Sequence, residues 1–262
     1  MQLKERNKNW FDKKAHFYAV ARPTYPSELF ELLSERCNQH HNALDCGTGN
    51  GQSAVLLADH FEHVSGLDTS QSQLKLAEKR NNVNYIMATA DQLPAKDQSI
   101  DLVTVAEAVH WFSLDDFYNE TNRVLKPDGK VAVWCYYLPN ISPKLDTIID
   151  TLFHETLKDY IDDKRLLIKD GYKNLPFPFE NVERHELTTT KTWSFENMLQ
   201  NLYSSSQVKK YTNDTGIDPI AAIHDQLKAA WGDTASRTAN WQISVLIGQK
   251  PQRQATYKRP TV

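Results

Sequence analysis

Short apolar runs alternate with helical patterns between about residues 27 and 137, and this alternation limits the possible folds more than any other feature. The run at 102–106 is nearly continuously apolar, which is typical of a strand buried on both faces. Strands that alternate with helices form βαβ units on a parallel sheet. The pattern therefore predicts an α/β fold, doubly wound around a mostly parallel sheet.

This region contains five predicted strands, each followed or preceded by a helical segment. The strands are expected at residues 43–46, 64–67, 84–88, 102–106 and 131–137, with helices opening at Ser27, over 52–59 and around 74–77. A turn is predicted at 126–129, where Pro127 fixes φ and Gly129 supplies a positive φ before the fifth strand.

Beyond residue 137 the alternation stops and the chain becomes mainly helical. Helices are predicted over 145–161, 194–202 and 219–231, with further strands at 182–189 and 243–248. The expected division is an N-terminal lid segment at 1–26, a ligand-binding core at 27–137, a helical cap at 138–235 that includes the strand near 182–189, a last sheet strand at 236–248, and a disordered tail at 249–262. The cap is thus an insertion after the fifth strand.

Composition excludes several classes of function. The formal net charge is −3, so no basic field favours nucleic acid or an anionic membrane surface. The three cysteines, Cys37, Cys46 and Cys135, stand apart, and neither a disulfide framework nor a metal site is expected. The N-terminus lacks an apolar run, and no stretch is long enough to span a bilayer. We therefore expect a cytoplasmic protein without membrane insertion.

A glycine loop follows the first predicted strand. The strand ends at the acid Asp45, and every second position after it is a glycine: Gly47, Gly49 and Gly51. Glycine lets the backbone turn tightly and lets a ligand lie directly against it. A second acid, Asp68, closes the next strand, where a carboxylate can accept hydrogen bonds from the hydroxyls of a ribose. Together these features predict a nucleoside-binding site at the carboxyl edge of the sheet.

The glycine spacing separates two classes of nucleoside cofactor. A dinucleotide loop has the form G-x-G-x-x-G, but its third glycine would fall on Gln52. S-adenosylmethionine has no phosphate and carries a sulfonium and an ammonium group, which Asp45 suits by charge. An NAD-dependent dehydrogenase is therefore the less favoured enzyme, and a loop that only packs a helix on a strand is the structural alternative.

These residues resemble motif I of the class I S-adenosylmethionine-dependent methyltransferases, in the group called methyltransferase type 11. Two other segments agree with that family: Ala90-Asp91-Gln92-Leu93-Pro94 after the third strand, and Arg123-Val124-Leu125-Lys126-Pro127-Asp128-Gly129-Lys130 before the fifth. The second departs from the family pattern at Asp128, which replaces a glycine. The resemblance implies a Rossmann-like seven-stranded sheet and S-adenosylmethionine as cofactor. It implies cofactor contacts from Tyr18, Asp45, Gly47, Thr48, Gly49, Gly51, Asp68, Thr69, Ala90, Asp91, Gln92 and the backbone of Glu107.

Two longer segments are similar to the trans-aconitate methyltransferase-like branch of this family. They are Phe17-Tyr18-x-x-x-Arg22-Pro23-x-Tyr25-Pro26 near the start and Glu107-Ala108-Val109-His110-Trp111-Phe112 after the fourth strand. This resemblance implies a small-molecule methyl acceptor, for which a carboxylate is one possibility. A non-catalytic protein that only binds the cofactor is the alternative of a different class.

His110 is the candidate catalytic residue, because it follows the carboxyl end of a strand. It could act as a general base or orient the acceptor, and a structural role is the third possibility. Methyl transfer needs a base only when the acceptor must lose a proton. The predicted acceptor contacts are Arg22, Tyr25, His110, Trp111, Trp193 and Tyr203. Arg22 could bind a carboxylate as a planar fork and Tyr18 could cover the cofactor, although the aromatic residues in this set could equally be core.

A nucleic-acid methyltransferase is disfavoured. The segment after the fourth strand reads Glu107-Ala108-Val109-His110, where an enzyme that methylates base amino groups in this fold commonly has N-P-P-Y or D-P-P-Y. The sequence does not predict the oligomeric state or the identity of the acceptor.

Overall fold

The computed structural model describes residues 23–252, and its centre is a seven-stranded sheet in the order β3-β2-β1-β4-β5-β7-β6. The strands are β1 Asn42–Cys46, β2 His63–Asp68, β3 Val83–Met87, β4 Ile100–Ala106, β5 Leu125–Tyr136, β6 Glu180–Trp193 and β7 Arg237–Gln249. The first five pair in parallel, while β7 runs antiparallel to β5. The predicted doubly wound, mostly parallel sheet is confirmed.

Nine α-helices lie within the described residues. They are α1 Ser27–Glu35, α2 Gln52–Leu57, α3 Gln71–Leu74, α4 Leu114–Val124, α5 Pro143–Thr151, α6 Asp163–Lys169, α7 Phe195–Ser204, α8 Ser206–Thr215 and α9 Pro219–Trp231. Shorter helical turns follow at Val109–Trp111 (3₁₀), Leu152–Thr156 (π) and Lys158–Tyr160 (3₁₀). None of the helices between residues 23 and 252 is both long and apolar enough to cross a bilayer.

The sheet has a core on each face, as expected when strands are covered by helices on both sides. Alternate residues of β5 join different clusters: Val131 and Val133 belong to one, and Ala132 and Trp134 to the other. Leu102 on β4 is fully buried as well. Because both faces are dry, β4 and β5 lack the polar alternation of a half-exposed strand.

The strand order places the switch point between β1 and β4. From β1 the chain proceeds to β2 and β3 on one side, and then returns to build β4 and β5 on the other. Asp45 on β1 pairs with Thr104 on β4, so the carboxyl ends of these two strands lie side by side. In parallel sheets, ligands bind in the crevice that such a switch point opens.

The positive φ predicted for Gly129 in a turn at 126–129 was wrong, because Gly129 does not have a φ in the left-handed region. These residues lie inside β5, where the pairing with β4 is irregular: Ile100 pairs with Leu125, and Leu102 pairs with Lys130. The extra residues on β5 form a bulge that keeps Pro127, which has no N–H, out of the ladder. The predicted helix at 145–161 is also interrupted, since α5 ends at Thr151 and a π turn and a 3₁₀ turn follow.

Other predicted elements exist with different lengths. The strands at 182–189 and 243–248 extend to Glu180–Trp193 and Arg237–Gln249. The helix at 219–231 is confirmed, with Asp218 accepting hydrogen bonds from the amides of Ile220 and Ala221. Helices α4, α6 and α8 have no counterpart among the predicted elements.

Residue contacts divide the described chain into two units. A sheet unit contains 25–137, 164–188 and the chain from 242, and a helical unit contains 138–163 and 189–241. Inside the helical unit, Trp193 packs edge-to-face on Trp241, and Ser194 caps α7 through a reciprocal capping box with Asn197. The proposed division into lid, core, cap and tail stays a prediction, and residues 1–22 and 253–262 lie outside the described part.

Candidate functional site

The loop between β1 and α2 is built from left-handed backbone. Gly47, Gly49 and Gly51 have φ values of +70°, +57° and +82°, a conformation that residues with a Cβ rarely adopt. A Cβ on Gly47 would lie 2.6 Å from the Cβ of Ala108, and one on Gly51 would lie 2.2 Å from the hydroxyl of Tyr85. The first and third glycines are therefore required by packing within the fold.

Gly49 differs from its two neighbours. A Cβ built there would meet no atom within 4 Å among the described residues. Packing therefore gives no reason for a glycine, although the positive φ does. The open space beside this backbone is what a ligand that lies against the loop requires. The amide of Gly49 donates to Oδ2 of Asp68 at 2.8 Å, which joins the loop to the end of β2.

Asp68 lies at the carboxyl end of β2 and lines the cavity beside the loop. Its Oδ1 accepts a hydrogen bond from the amide of Ser70 at 2.7 Å, and its Oδ2 accepts that of Gly49. Each carboxylate oxygen can accept a second hydrogen bond. Two amides thus fix the carboxylate in one orientation, and it keeps the capacity to accept bonds from the two hydroxyls of a ribose.

Asp45 is fully buried at the end of β1. The hydroxyl of Thr104 donates to its Oδ1 at 2.8 Å, while its Oδ2 has no hydrogen-bond partner among the described residues. Burial raises the pKa of this carboxyl from 3.8 to about 6. A buried acid with one unsatisfied oxygen is stabilised by a nearby cation or donor. The site therefore fits a positively charged ligand, as S-adenosylmethionine is.

Thr48 helps to hold the glycine loop in place through its backbone amide. Its amide donates to the carbonyl of Leu67 at 2.8 Å, which ties the glycine loop to β2. Its buried hydroxyl is close enough to the Asp45 carboxylate to lower the pKa of that acid, although neither this hydroxyl nor Oδ2 of Asp45 makes a well-formed hydrogen bond within the described chain. Unsatisfied buried polar atoms are uncommon in folded proteins. Two such atoms at one strand end leave hydrogen-bonding capacity for a ligand.

A cavity of about 250 Å³ opens where these strand ends meet. It is lined by Cys46, Gly47, Leu67, Asp68, Thr69, Ala88, Ala90, Ala108, Trp111 and Phe112. The structure thus brings together predicted site residues from four separate segments: Gly47, Asp68, Thr69, Ala90 and Trp111. Asp91 and Gln92 are exposed and do not line this cavity.

The loop after β3 is held from below by α4. Arg123 donates hydrogen bonds to the carbonyls of Leu93 and Ala95, at 3.0 Å and 2.8 Å. Glu120 accepts from the amide of Leu93 at 2.8 Å and is itself paired with Arg123. The sequence indicates Arg123 only as part of a segment similar to the family. Its structural role is to position the loop that follows Ala90.

Glu107 follows β4 with a φ of +57°, which is uncommon for a residue other than glycine. Its amide donates to the carbonyl of Trp134 at 2.9 Å, and its carboxylate accepts the amide of Tyr136. The predicted backbone contact with the cofactor therefore cannot use the amide. The carboxylate secures the end of β5 against the end of β4.

His110 is 5 % exposed, so it is a buried residue and not a surface one. Its Nδ1 lies 2.9 Å from the hydroxyl of Tyr172, a fully buried residue of the sheet unit. Its ring packs against that of Trp111, with ring centroids 4.9 Å apart. Trp111 is 47 % exposed and lines the cavity, as expected for the wall of a binding site. No pattern in the sequence pointed to Tyr172, which lies 62 positions from His110.

The remaining predicted contacts are supported less well. Tyr18 and Arg22 lie outside the described residues. Tyr25 and Trp193 are buried, and they pack edge-to-face on Trp134 and Trp241 respectively. The structure gives these two a packing role and no support for contact with an acceptor. Tyr203 is partly exposed, and its hydroxyl donates to Asp218 at 3.0 Å.

Comparisons with known proteins agree on one activity. A family model described as a methyltransferase domain matches residues 44–133. A Dictyostelium discoideum protein described only as a methyltransferase is 32% identical over 241 residues, which cover 89% of this chain and 92% of that protein. A Saccharomyces cerevisiae protein designated an S-adenosylmethionine-dependent methyltransferase is 32% identical over 142 residues, or 51% of this chain and 48% of that protein.

Among solved structures, one described as a type II methyltransferase from Anaeromyxobacter dehalogenans is similar along most of the chain. It is 35% identical, with a TM-score of 0.81, and the match covers 87% of this chain and 98% of that one. The likeness therefore includes residues beyond the 44–133 segment.

Proposed function

The chain belongs to the class I S-adenosylmethionine-dependent methyltransferases, and on that premise we propose that it methylates a small molecule at a carboxylate. The observations that carry the cofactor part of the proposal are the unsatisfied Oδ2 of the buried Asp45 and the open space at Gly49 in the loop that follows it. This pair suits a cationic ligand that lies against the loop. A phosphate-bearing ligand would be repelled by the same carboxylate.

The bound cofactor supplies a methyl carbon that is activated by a positively charged sulfur. We assign the ribose hydroxyls to Asp68 and the face of the adenine to the segment around Ala90, with Asp91 and Gln92 at its rim. Asp45 offsets the positive charge of the ligand. Thr69 is exposed at the end of β2, where it lines the same cavity.

Positioning accounts for most of the rate enhancement in this proposal. Holding the acceptor atom in line with the methyl carbon can contribute about 7–11 kcal/mol. Trp111 and Phe112 wall the cavity and keep water away from the reacting atoms. A carboxylate has no proton to lose, so its oxygen lone pair can form the new bond without a general base.

The carboxylate assignment rests on the segments that are similar to the trans-aconitate methyltransferase-like branch. Arg22 is proposed to bind the acceptor carboxylate as a planar fork, and Tyr18 to cover the cofactor. Both belong to the proposed lid at 1–26. The helical segment at 138–235 is proposed as the cap that selects the acceptor.

Calorimetry with S-adenosylmethionine and with its demethylated product tests the cofactor assignment. Asp68→Ala should weaken binding by roughly 100-fold, because two hydrogen bonds to a charged acceptor are lost. Asp225→Ala, which removes an exposed carboxylate on α9, is the matched control and should leave binding unchanged. Equal binding by the two variants would refute the ribose assignment.

A screen with a methyl-labelled cofactor tests the acceptor. Small carboxylic acids should gain label, and the products should be methyl esters that mild base hydrolyses. Label only in amines or ring carbons would refute the carboxylate. Tight cofactor binding with no labelled product across acids and a metabolite extract would favour a non-catalytic binding protein, and binding of NADH would favour a dehydrogenase.

A further inference from the structure

Tyr172 is an unusual residue for its position. It lies after α6 with a φ of +59°, directly behind Gly171 at +65°, so two consecutive residues are left-handed. A bulky residue in this region is strained and persists only where its surroundings fix it. The side chain is completely buried. This strain indicates that the position of the Tyr172 side chain matters for more than filling space.

The hydroxyl of Tyr172 has a single hydrogen-bond partner among the described residues, Nδ1 of His110 at 2.9 Å. Burial raises the pKa of Tyr172 well above its usual value, and the Glu107 carboxylate acts in the same direction. The phenol therefore keeps its proton at neutral pH. A buried O–H that donates to nothing is costly, so this proton needs an acceptor.

We infer that Tyr172 donates its hydroxyl to Nδ1 of His110 and thereby holds the neutral imidazole with its proton on Nε2. The opposite arrangement, in which Nδ1–H donates to the phenol oxygen, would leave the phenol proton unpaired in a dry site. An imidazolium would do the same, since both of its nitrogens are donors. Tyr172 is a positioning residue, because it acts through His110.

This assignment deepens the proposed function and rests on it for its consequence. With its proton on Nε2, His110 is a hydrogen-bond donor at that nitrogen and cannot take a proton there. It suits an acceptor that presents an oxygen lone pair. In the transfer, that oxygen forms a bond to the methyl carbon while the carbon–sulfur bond breaks and its electron pair stays on sulfur. The anionic carboxylate becomes a neutral ester, so the transfer neither releases nor consumes a proton.

Nuclear magnetic resonance of protein with ¹⁵N-labelled histidine tests the tautomer directly. Long-range proton–nitrogen spectra at neutral pH, assigned by comparison with His110→Gln, should show His110 with a proton on Nε2 and none on Nδ1. A proton on Nδ1, with or without one on Nε2, would overturn the inference. This measurement needs neither substrate nor activity, so it is independent of the proposed function.

Substitutions separate a donor from a base. His110→Ala should lower kcat/KM by roughly 10- to 100-fold, through loss of one hydrogen bond to a charged oxygen. His110→Gln places an amide N–H near the position of Nε2 and should recover most of that loss, although an amide cannot serve as a base. Equal losses in the two variants would contradict the donor role.

Tyr172→Phe removes the hydroxyl and keeps the ring. We expect a second His110 tautomer in its spectrum and a kcat/KM lowered by roughly 3- to 10-fold. Tyr118→Phe is the matched control, since Tyr118 is also fully buried and donates its hydroxyl to the carbonyl of Pro176 at 2.6 Å. It should change neither the tautomer nor the rate by more than about 2-fold. An unchanged tautomer in Tyr172→Phe would refute the positioning role.

Discussion

The two sides of the cavity differ in the chemical groups that they present. On the side of β1 and β2, Gly47 and the carboxylate of Asp68 line the cavity, and the carboxylate of Asp45 is buried at the end of β1 with one oxygen unsatisfied. On the side of β4, Trp111 and Phe112 line the cavity and the polar groups behind them are paired with one another. The first side is complementary to a positively charged ligand, and the second is complementary to the shape of a ligand. This difference suits the cofactor and acceptor positions that we propose on the two sides.

The comparison also shows where each side obtains its stability. The β1 side depends on short-range backbone geometry, with three left-handed glycines inside one loop. The β4 side depends on contacts between residues distant in sequence, such as His110 with Tyr172 and Glu107 with Tyr136. A substitution on the first side should therefore disturb mainly its own loop. A substitution on the second side should also disturb the distant residue with which it is paired.

The largest effect is expected at Gly47. Gly47→Ala forces a Cβ into contact with that of Ala108 at a φ of +70°, and should lower the free energy of unfolding by about 2–5 kcal/mol. Gly49→Ala has the same strain but open space, and should cost about 1–2 kcal/mol. Chemical denaturation measures both values.

Cofactor affinity should separate these two glycines again. Gly49→Ala fills the space that we assign to the ligand, so it should lose more affinity than stability. If both variants lost stability equally, the contact between Gly47 and Ala108 would not be the reason for the glycine.

Asp45 predicts a pH dependence of the ligand-free protein. Because its pKa is about 6 in the fold and 3.8 as its usual value, the folded state holds a proton between these values where the unfolded chain has lost it. The stability from this difference is complete below pH 3.8 and is lost as the pH rises through 6. The loss is about 3 kcal/mol.

Asp45→Asn cannot ionise, so between pH 4 and 7 it should lose about 2–3 kcal/mol less stability than the wild type. The wild type should bind S-adenosylmethionine more tightly as the pH rises from 5 to 7, because the cation favours the ionised acid, and the variant should show no such rise. If the stabilities of the two proteins changed with pH in parallel, the raised pKa of Asp45 would be contradicted. Thermal unfolding across this range measures the first effect and calorimetry the second.

The smallest effect is expected at Arg123, which supports the cavity without lining it. Arg123→Lys loses the planar fork that spans the carbonyls of Leu93 and Ala95, and should cost about 1–2 kcal/mol of stability. Arg36→Lys, whose partner Glu183 is more exposed, is the control and should change less than about 1 kcal/mol. An equal cost at the two positions would mean that the loop after β3 is not held by α4.

Much of the β1 side was predictable from the sequence because its rules are local. A strand, a turn that needs positive φ and a helix each have a recognisable residue pattern, and here the three patterns are adjacent in the sequence. The acid Asp68 follows at the end of the next strand. The α/β pattern and the positions of the central strands were predictable for the same reason, since burial on both faces makes β1 and β4 apolar.

The β4 side could not be predicted in the same way. Tyr172 has no local signature, because its role depends on a fold that brings it to His110 across 62 positions. The local sequence also does not predict that Tyr25 and Trp193 lie in the core, because an aromatic residue in a core and one in a pocket wall occur in similar sequence patterns. The bulge at 126–129 was missed because a proline–glycine turn and a bulge use the same residues.

The contact between Gly47 and Ala108 has a consequence for anyone who alters this enzyme. The Cβ of Ala108 already occupies the space that a side chain on Gly47 would need, and both residues line the cavity. A library that enlarges position 108 to accept new substrates would push on the glycine loop and impair the cofactor at the same time. Trp111 is half exposed and is not among the nearest neighbours of the Cβ position at Gly47, so it is the better position at which to introduce diversity.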